Sequence, residues 1–127
     1  MTVFTWLLFG LVIKHAWVDL YLQATRPPAN KIIYLNGFRH YFDHGTYTAL
    51  VFMLCFGVDE WKVALALGVF DLFIHSMIDF PKANLMNKLG WHRNEQRFWK
   101  VQALDQALHF TTYMIIVITA SNYYGAG

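Results

Sequence analysis

Four apolar stretches, each about the length of a membrane span, follow one another along the chain. Polar residues of one restricted kind interrupt all four. The stretches cover residues 2–25, 38–57, 61–80 and 99–123. A helix needs ~20 apolar residues to cross the hydrocarbon core of a bilayer. Pro27 and Pro28 end the first helix, because proline and the residue before it resist helical continuation. The acidic turn at 58–60 folds the second and third stretches into a helical hairpin. Residues 26–37 and 81–98 form basic connections. The pattern predicts an all-α fold: a single transmembrane domain over residues 1–127, built as an up-down antiparallel four-helix bundle.

Composition supports a membrane setting over a soluble all-helical bundle. The chain is 57% hydrophobic and 14% charged, against ~25% charged in soluble domains. Trp61, Trp91, Trp99, Tyr34, Tyr123 and Tyr124 lie at or just beyond the ends of the stretches, as an interfacial aromatic belt requires. The N-terminus lacks the basic region and small-residue cleavage site of a secretory signal, so the first hydrophobic segment is expected to be retained. A net charge of +2 is too small to suggest nucleic acid as a partner. Cys55 is a single cysteine, which excludes an internal disulfide.

Charge also gives an orientation. Loops 26–37 and 81–98 are rich in Lys and Arg, whereas the 58–60 turn is acidic. The positive-inside rule puts both basic loops in the cytoplasm and both termini on the opposite side, in a bacterial inner membrane. Leu85, Met86, Leu89 and Trp91 interleave with Lys82, Lys88, Arg93 and Arg97. That mixture suits either a headgroup-layer segment that attracts anionic lipid or a solvated basic loop.

The polar interruptions carry the chemistry. The first stretch holds His15 and Asp19, the second His40 and His44, the third His75 and Asp79, the fourth Asp105 and His109. Each pair is spaced i,i+4, which places both members on one helix face. Five of the six histidines are used in this way. The pairs lie late in stretches one and three and early in stretches two and four. In an up-down bundle those are the same ends, so all four pairs fall in one layer of the cytoplasmic half.

Burying three Asp side chains costs about 10 kcal/mol at ~2.5–3.5 kcal/mol each. A structural zinc site returns ~10–16 kcal/mol, enough to offset this. Imidazoles with carboxylates suit Zn, Mn or Fe better than Ca or Mg. Eight candidate ligands (His15, Asp19, His40, His44, His75, Asp79, Asp105 and His109) exceed one tetrahedral shell. They would serve two ions, or one ion with carboxylates that orient the histidines. Soluble di-metal carboxylate bundles build sites this way. The alternative is that the pairs are only polar glue between helices.

Several neighbours invite a role. Gln23 continues the His15–Asp19 row, and Gln106 follows Asp105; either would hold a ligand in place. Asp71 lies one turn deeper than His75, as a fourth carboxylate or a histidine's partner. Lys14 would bind a phosphate, pair with an Asp or snorkel. Asp43 reads as an interface charge near Arg39, and His92 as an ordinary loop residue. Lys82 stands where it would hold an anionic headgroup.

The segments "KHAWVDLYLQ", "HYFDHGTYTAL", "IHSMIDFPKA" and "LDQALHF" resemble, in order, the signatures H-x3-D-x3-Q, H-x3-H, H-x3-D-x2-K and D-Q-x2-H. These belong to the domain-of-unknown-function family thirty-three-oh-seven, small polytopic membrane proteins of bacteria and their phages. The resemblance covers nearly the whole chain and marks His15, Asp19, Gln23, His40, His44, His75, Asp79, Lys82, Asp105, Gln106 and His109. A looser resemblance is to LexA-regulated membrane-bound metal-dependent hydrolases. Asp71 and residues 90–100 have no counterpart in the signatures, and the family implies no activity.

Four functional classes follow. The first is an intramembrane metal-dependent hydrolase acting on a lipid-like substrate with a phosphate or ester, its nucleophile a metal-activated water. The second is a metal-ion or proton transporter, against which stands the apolar far half of each stretch. The third is a non-enzymatic membrane accessory subunit, as a homo-oligomer or in a larger complex, whose polar network locks the bundle. The last is a b-type haem protein, though haem does not need an Asp beside nearly every His.

Overall fold

The computed structural model describes residues 2–25 and 33–125. Among these there are four long helices and no strand. Helix α1 spans Val3–Thr25, α2 Tyr34–Phe56, α3 Trp61–Leu89 and α4 Gln96–Tyr124. They are neighbours in chain order around an antiparallel bundle, and α2 and α3 are in the closest contact. Pro27, Pro28 and most of the first basic connection lie outside the described residues, as does the C-terminal Gly127.

Local chemistry sets the helix ends. Thr2 caps α1: its side-chain oxygen accepts from the Thr5 N–H at 3.3 Å, which satisfies a donor with no intrahelical partner. Between α2 and α3 the chain turns at Gly57, with φ +100°, then through a 3₁₀ turn, Val58–Glu60. Helix α3 ends at Gly90, with φ +61°. There the Trp91 N–H reaches the Met86 carbonyl and the Gly90 N–H the Asn87 carbonyl. This paired ending needs a left-handed residue, which glycine supplies without strain.

Three boundaries differ from the sequence expectation, the end of α3 and the starts of α2 and α4, the last at Gln96 rather than residue 99. The second long connection was expected over residues 81–98, but α3 continues through Pro81 to Leu89, leaving only a short link before Gln96. Pro81 removes one ladder bond, at the Met77 carbonyl, yet it sits on the exposed face. Nearby, Asn84 donates to the Phe80 carbonyl at 2.9 Å. Helix α2 starts at Tyr34 rather than residue 38.

The surface is apolar and half of the interior is polar. Leu54 is 86% exposed and Leu20 72%, while nine Lys, His and Asp side chains, named below, are buried. An apolar exterior with ionisable side chains turned to the bundle interior is the pattern that membrane-spanning helices show. Three helical stretches, Val3–Thr25, Val58–Leu89 and Gln96–Tyr124, are long and apolar enough to cross a membrane. Helix α2 is long enough but less apolar, because Arg39, His40, Asp43 and His44 fill its first half. The far end of the bundle is an ordinary apolar core of Leu7, Leu11, Phe52, Ala64, Tyr113, Ile116 and Ala120.

Gly45 and Gly68 let α2 and α3 approach closely. A Cβ on Gly45 would meet the Gly68 carbonyl oxygen at 2.5 Å, and one on Gly68 would meet that of Gly45 at 2.6 Å. Both obstacles are backbone, so neither can swing away. Small residues at such crossings are how membrane helices pack. Gly45→Ala and Gly68→Ala are each expected to destabilise by ~1–3 kcal/mol, the usual cost of overpacking. Thermal unfolding in detergent would read this, and wild-type melting in both variants would contradict the close crossing.

Candidate metal centre

The rows predicted by i,i+4 spacing meet in one layer. His15 lies near the end of the regular part of α1, and Asp19 in a π-helical segment, Trp17–Leu22. Such widened turns recur at functional sites. This segment packs on α2 and makes little contact with α4. His40 and His44 come from the first turns of α2, His75 and Asp79 from α3, Asp105 and His109 from α4.

Two carboxylates knit the histidines together. Asp19 Oδ1 lies 3.1 Å from His44 Nε2 and 3.2 Å from His40 Nε2, and its Oδ2 lies 3.1 Å from His15 Nε2. Asp79 Oδ2 lies 3.3 Å from His40 Nε2 and 3.6 Å from His75 Nε2, and its Oδ1 lies 3.4 Å from His109 Nε2. Asp105 Oδ1 is 3.5 Å from His109 Nε2. The rings of His44, His75 and His109 stack, with centroids 3.5 and 4.0 Å apart.

His75 stands at the middle of this stack and is 1% exposed. Among the described residues its Nδ1 has no hydrogen-bond partner, and its Nε2 has only the Asp79 carboxylate, at a long 3.6 Å. Buried polar groups are nearly always satisfied, so an orphaned imidazole calls for an explanation. Metal coordination supplies one. Donors at ~2.0–2.2 Å from a tetrahedral ion sit about 3.3–3.6 Å from one another. The N···O separations across the layer, 3.1–3.6 Å, fall in or near that range.

Three groups of donor atoms are close enough together to hold an ion: Asp19, His40, His44 and His75; His15, His75 and His109; and Asp79, Asp105 and His109. The first and third share no residue. The second is less suited to an ion, because His15 already has protein partners on both nitrogens. Its Nδ1 is 2.8 Å from the Tyr113 hydroxyl and its Nε2 3.1 Å from Gln106 Oε1.

The neighbours take definite roles. Gln23 Nε2 is 3.1 Å from His40 Nδ1, and Gln106 Nε2 donates to Asp105 Oδ2 at 3.1 Å. Lys82, expected at the mouth to hold an anionic headgroup, lines the cavity described below, and its Nζ is 2.9 Å from Asp105 Oδ2 and 3.7 Å from Asp79 Oδ1. Asp71 was expected as a further ligand or a histidine's partner, but it pairs with Lys14. Their atoms are 2.5 Å apart, and the Thr48 hydroxyl donates to the same oxygen at 2.7 Å. Lys14 also donates to the His44 carbonyl at 3.3 Å and lies 3.4 Å from His44 Nδ1. His92 is exposed and outside the layer.

Sequence reasoning missed Thr48 and Tyr113. The signal was there: each continues a row by four residues, Thr48 after His44 and Tyr113 after His109. A cavity of about 390 Å³ opens beside the layer. His15, Asp19 and Asp79 line it together with Lys82, Arg93 and Gln102, and Leu20 and Phe110 add apolar wall.

Neither a curated protein nor a solved structure matches the chain. The looser resemblance to LexA-regulated hydrolases thus gains no support. A family model does match, over residues 7–126, and its description is "Protein of unknown function (DUF3307)". The match takes in every residue of the His/Asp layer, and the chain belongs to this family.

Proposed function

We propose that this protein is an integral membrane metalloprotein, and that its metal centre hydrolyses a lipid-like substrate carrying a phosphate or ester. The observation that carries this reading is His75, a buried imidazole whose Nδ1 is unpaired among the described residues and whose Nε2 reaches only Asp79 at 3.6 Å, amid carboxylates and imidazoles at ligand spacing. Asp19, His40, His44 and His75 would hold a divalent transition ion (Zn, Mn or Fe). Gln23 would orient His40. Four protein donors fill a tetrahedral shell, so the ion would activate a water by taking it as a fifth donor, and as a Lewis acid would then lower its pKa toward ~7. Asp79 reaches the imidazoles of α2, α3 and α4 and lines the cavity, where it is placed to accept a proton. The apolar wall of Leu20 and Phe110 suits an acyl chain, and Arg93 at the same cavity suits an anionic group.

A transporter fits less well. The polar groups continue one turn beyond the layer, to Lys14, Asp71 and Thr48, but past them the apolar core of Leu7, Leu11, Phe52, Ala64, Ile116 and Ala120 fills the bundle among the described residues. In the favoured orientation the layer lies in the cytoplasmic leaflet of a bacterial inner membrane, with both termini outside. Alkaline phosphatase fused at Gly127 should then be active, and an inactive fusion would reverse the orientation.

The functional test is hydrolysis of phospholipid and phosphate-ester substrates in mixed micelles. Purified protein loaded with zinc, manganese or iron would be compared with chelator-stripped protein. Turnover that requires metal and is lost in His75→Ala supports the enzyme. Metal-dependent stability without turnover on any substrate assigns the centre to locking the bundle in an accessory subunit.

A further inference from the structure

The third donor group, Asp79, Asp105 and His109, already has a cation beside it. Lys82 Nζ approaches both carboxylates, at 2.9 Å from Asp105 Oδ2 and 3.7 Å from Asp79 Oδ1. Its side chain is 18% exposed, and the contact lies at the wall of the cavity that Lys82 and Asp79 line. The first group differs. Lys14 is the cation nearest to it, and that ammonium is engaged by Asp71 on the far side of His44.

Charge counting agrees with the geometry. The layer and the ion pair beside it contain Asp19, Asp71, Asp79 and Asp105 against Lys14 and Lys82, of which Asp19 and Lys82 are half-buried and the rest buried. With neutral imidazoles their formal charge is −2, which one divalent ion brings to zero. A second ion beside Lys82 would leave +2 in a low-dielectric interior, where uncompensated charge is expensive. If Lys82 were absent, the second ion would have two carboxylates and His109 available to it.

Resting on the metal-centre reading above, we infer that Lys82 serves as a built-in counter-ion. It occupies the second cation position, so the protein takes one divalent ion, at Asp19, His40, His44 and His75. The centre is therefore a single-ion site with a latent second site that a lysine keeps closed. Residue 82 sets the metal stoichiometry, although it is not itself a ligand.

Zinc alone is the probe. Detergent-purified wild type, Lys82→Met and Lys82→Arg would be saturated with zinc, desalted and analysed for zinc per folded chain. The expected counts are one for wild type, two for Lys82→Met and one for Lys82→Arg, which keeps the charge. Two tight equivalents in wild type would overturn the inference. One equivalent in folded Lys82→Met would also overturn it while leaving the metal centre standing. No zinc in any of the three would remove the metal centre itself. If Lys82→Met does not fold, the wild-type count decides alone, because a second tight equivalent there is incompatible with an occupied position.

Discussion

His75→Ala is expected to empty the metal centre. Removing an outer partner of a metal ligand commonly costs 10–100-fold in affinity. Loss of a direct ligand should do more, so metal content should fall at least about tenfold. Stability should fall with it. Metal binding to such a site is coupled to folding, and without the ion the buried Asp79 and the half-buried Asp19 lose the divalent charge that would offset them. Chelator should bring the wild type down toward the mutant, yet leave the mutant nearly unchanged. His92→Ala is the control: His92 is exposed and outside the layer, so neither metal content nor melting should move. Wild-type metal occupancy in His75→Ala, with no response to chelator, would reduce the layer to polar glue between helices.

Breaking the Lys14–Asp71 pair is expected to cost about as much as any single change outside the metal ligands. Both side chains are almost fully buried, at 2% and 1% exposure. Removing one partner of a buried pair typically costs 3–5 kcal/mol, because the other charge is stranded. Lys14→Met and Asp71→Leu should each lower thermal stability by roughly that amount. The double variant should recover most of the loss, since apolar replacement of a whole buried pair is often neutral. Asp71→Leu should also weaken metal binding. A histidine coordinated through Nε2 carries its proton on Nδ1, and Asp71 keeps the Lys14 ammonium engaged 3.4 Å from that atom of His44. Additive losses in the double variant would contradict the pairing.

The four helices and the shared layer were legible because i,i+4 rows of His and Asp stand out in apolar surroundings and because an up-down bundle fixes which ends meet. The resemblance to the family was legible from the same rows. The course of α3 past Pro81 was not. Proline normally argues for a boundary, but here it faces outward, and Lys82 one residue later anchors the helix to Asp105. The pairing of Lys14 with Asp71 depends on the relative rotation of α1 and α3, which no single-helix pattern encodes. Thr48 and Tyr113 were passed over because they do not ionise as His or Asp do, although each extends its row by one step. The lesser apolarity of α2 has the same origin as the site: its first half supplies His40 and His44, which are buried in the layer.

X-ray absorption on detergent-purified wild-type protein loaded with one equivalent of zinc reads the ligands directly. The expected spectrum has N/O donors at ~2.0–2.1 Å with multiple scattering from three imidazoles, those of His40, His44 and His75, and it loses imidazole signal in His75→Ala. A spectrum of hydrated zinc with no imidazole scattering, unchanged in His75→Ala, would contradict the metal centre.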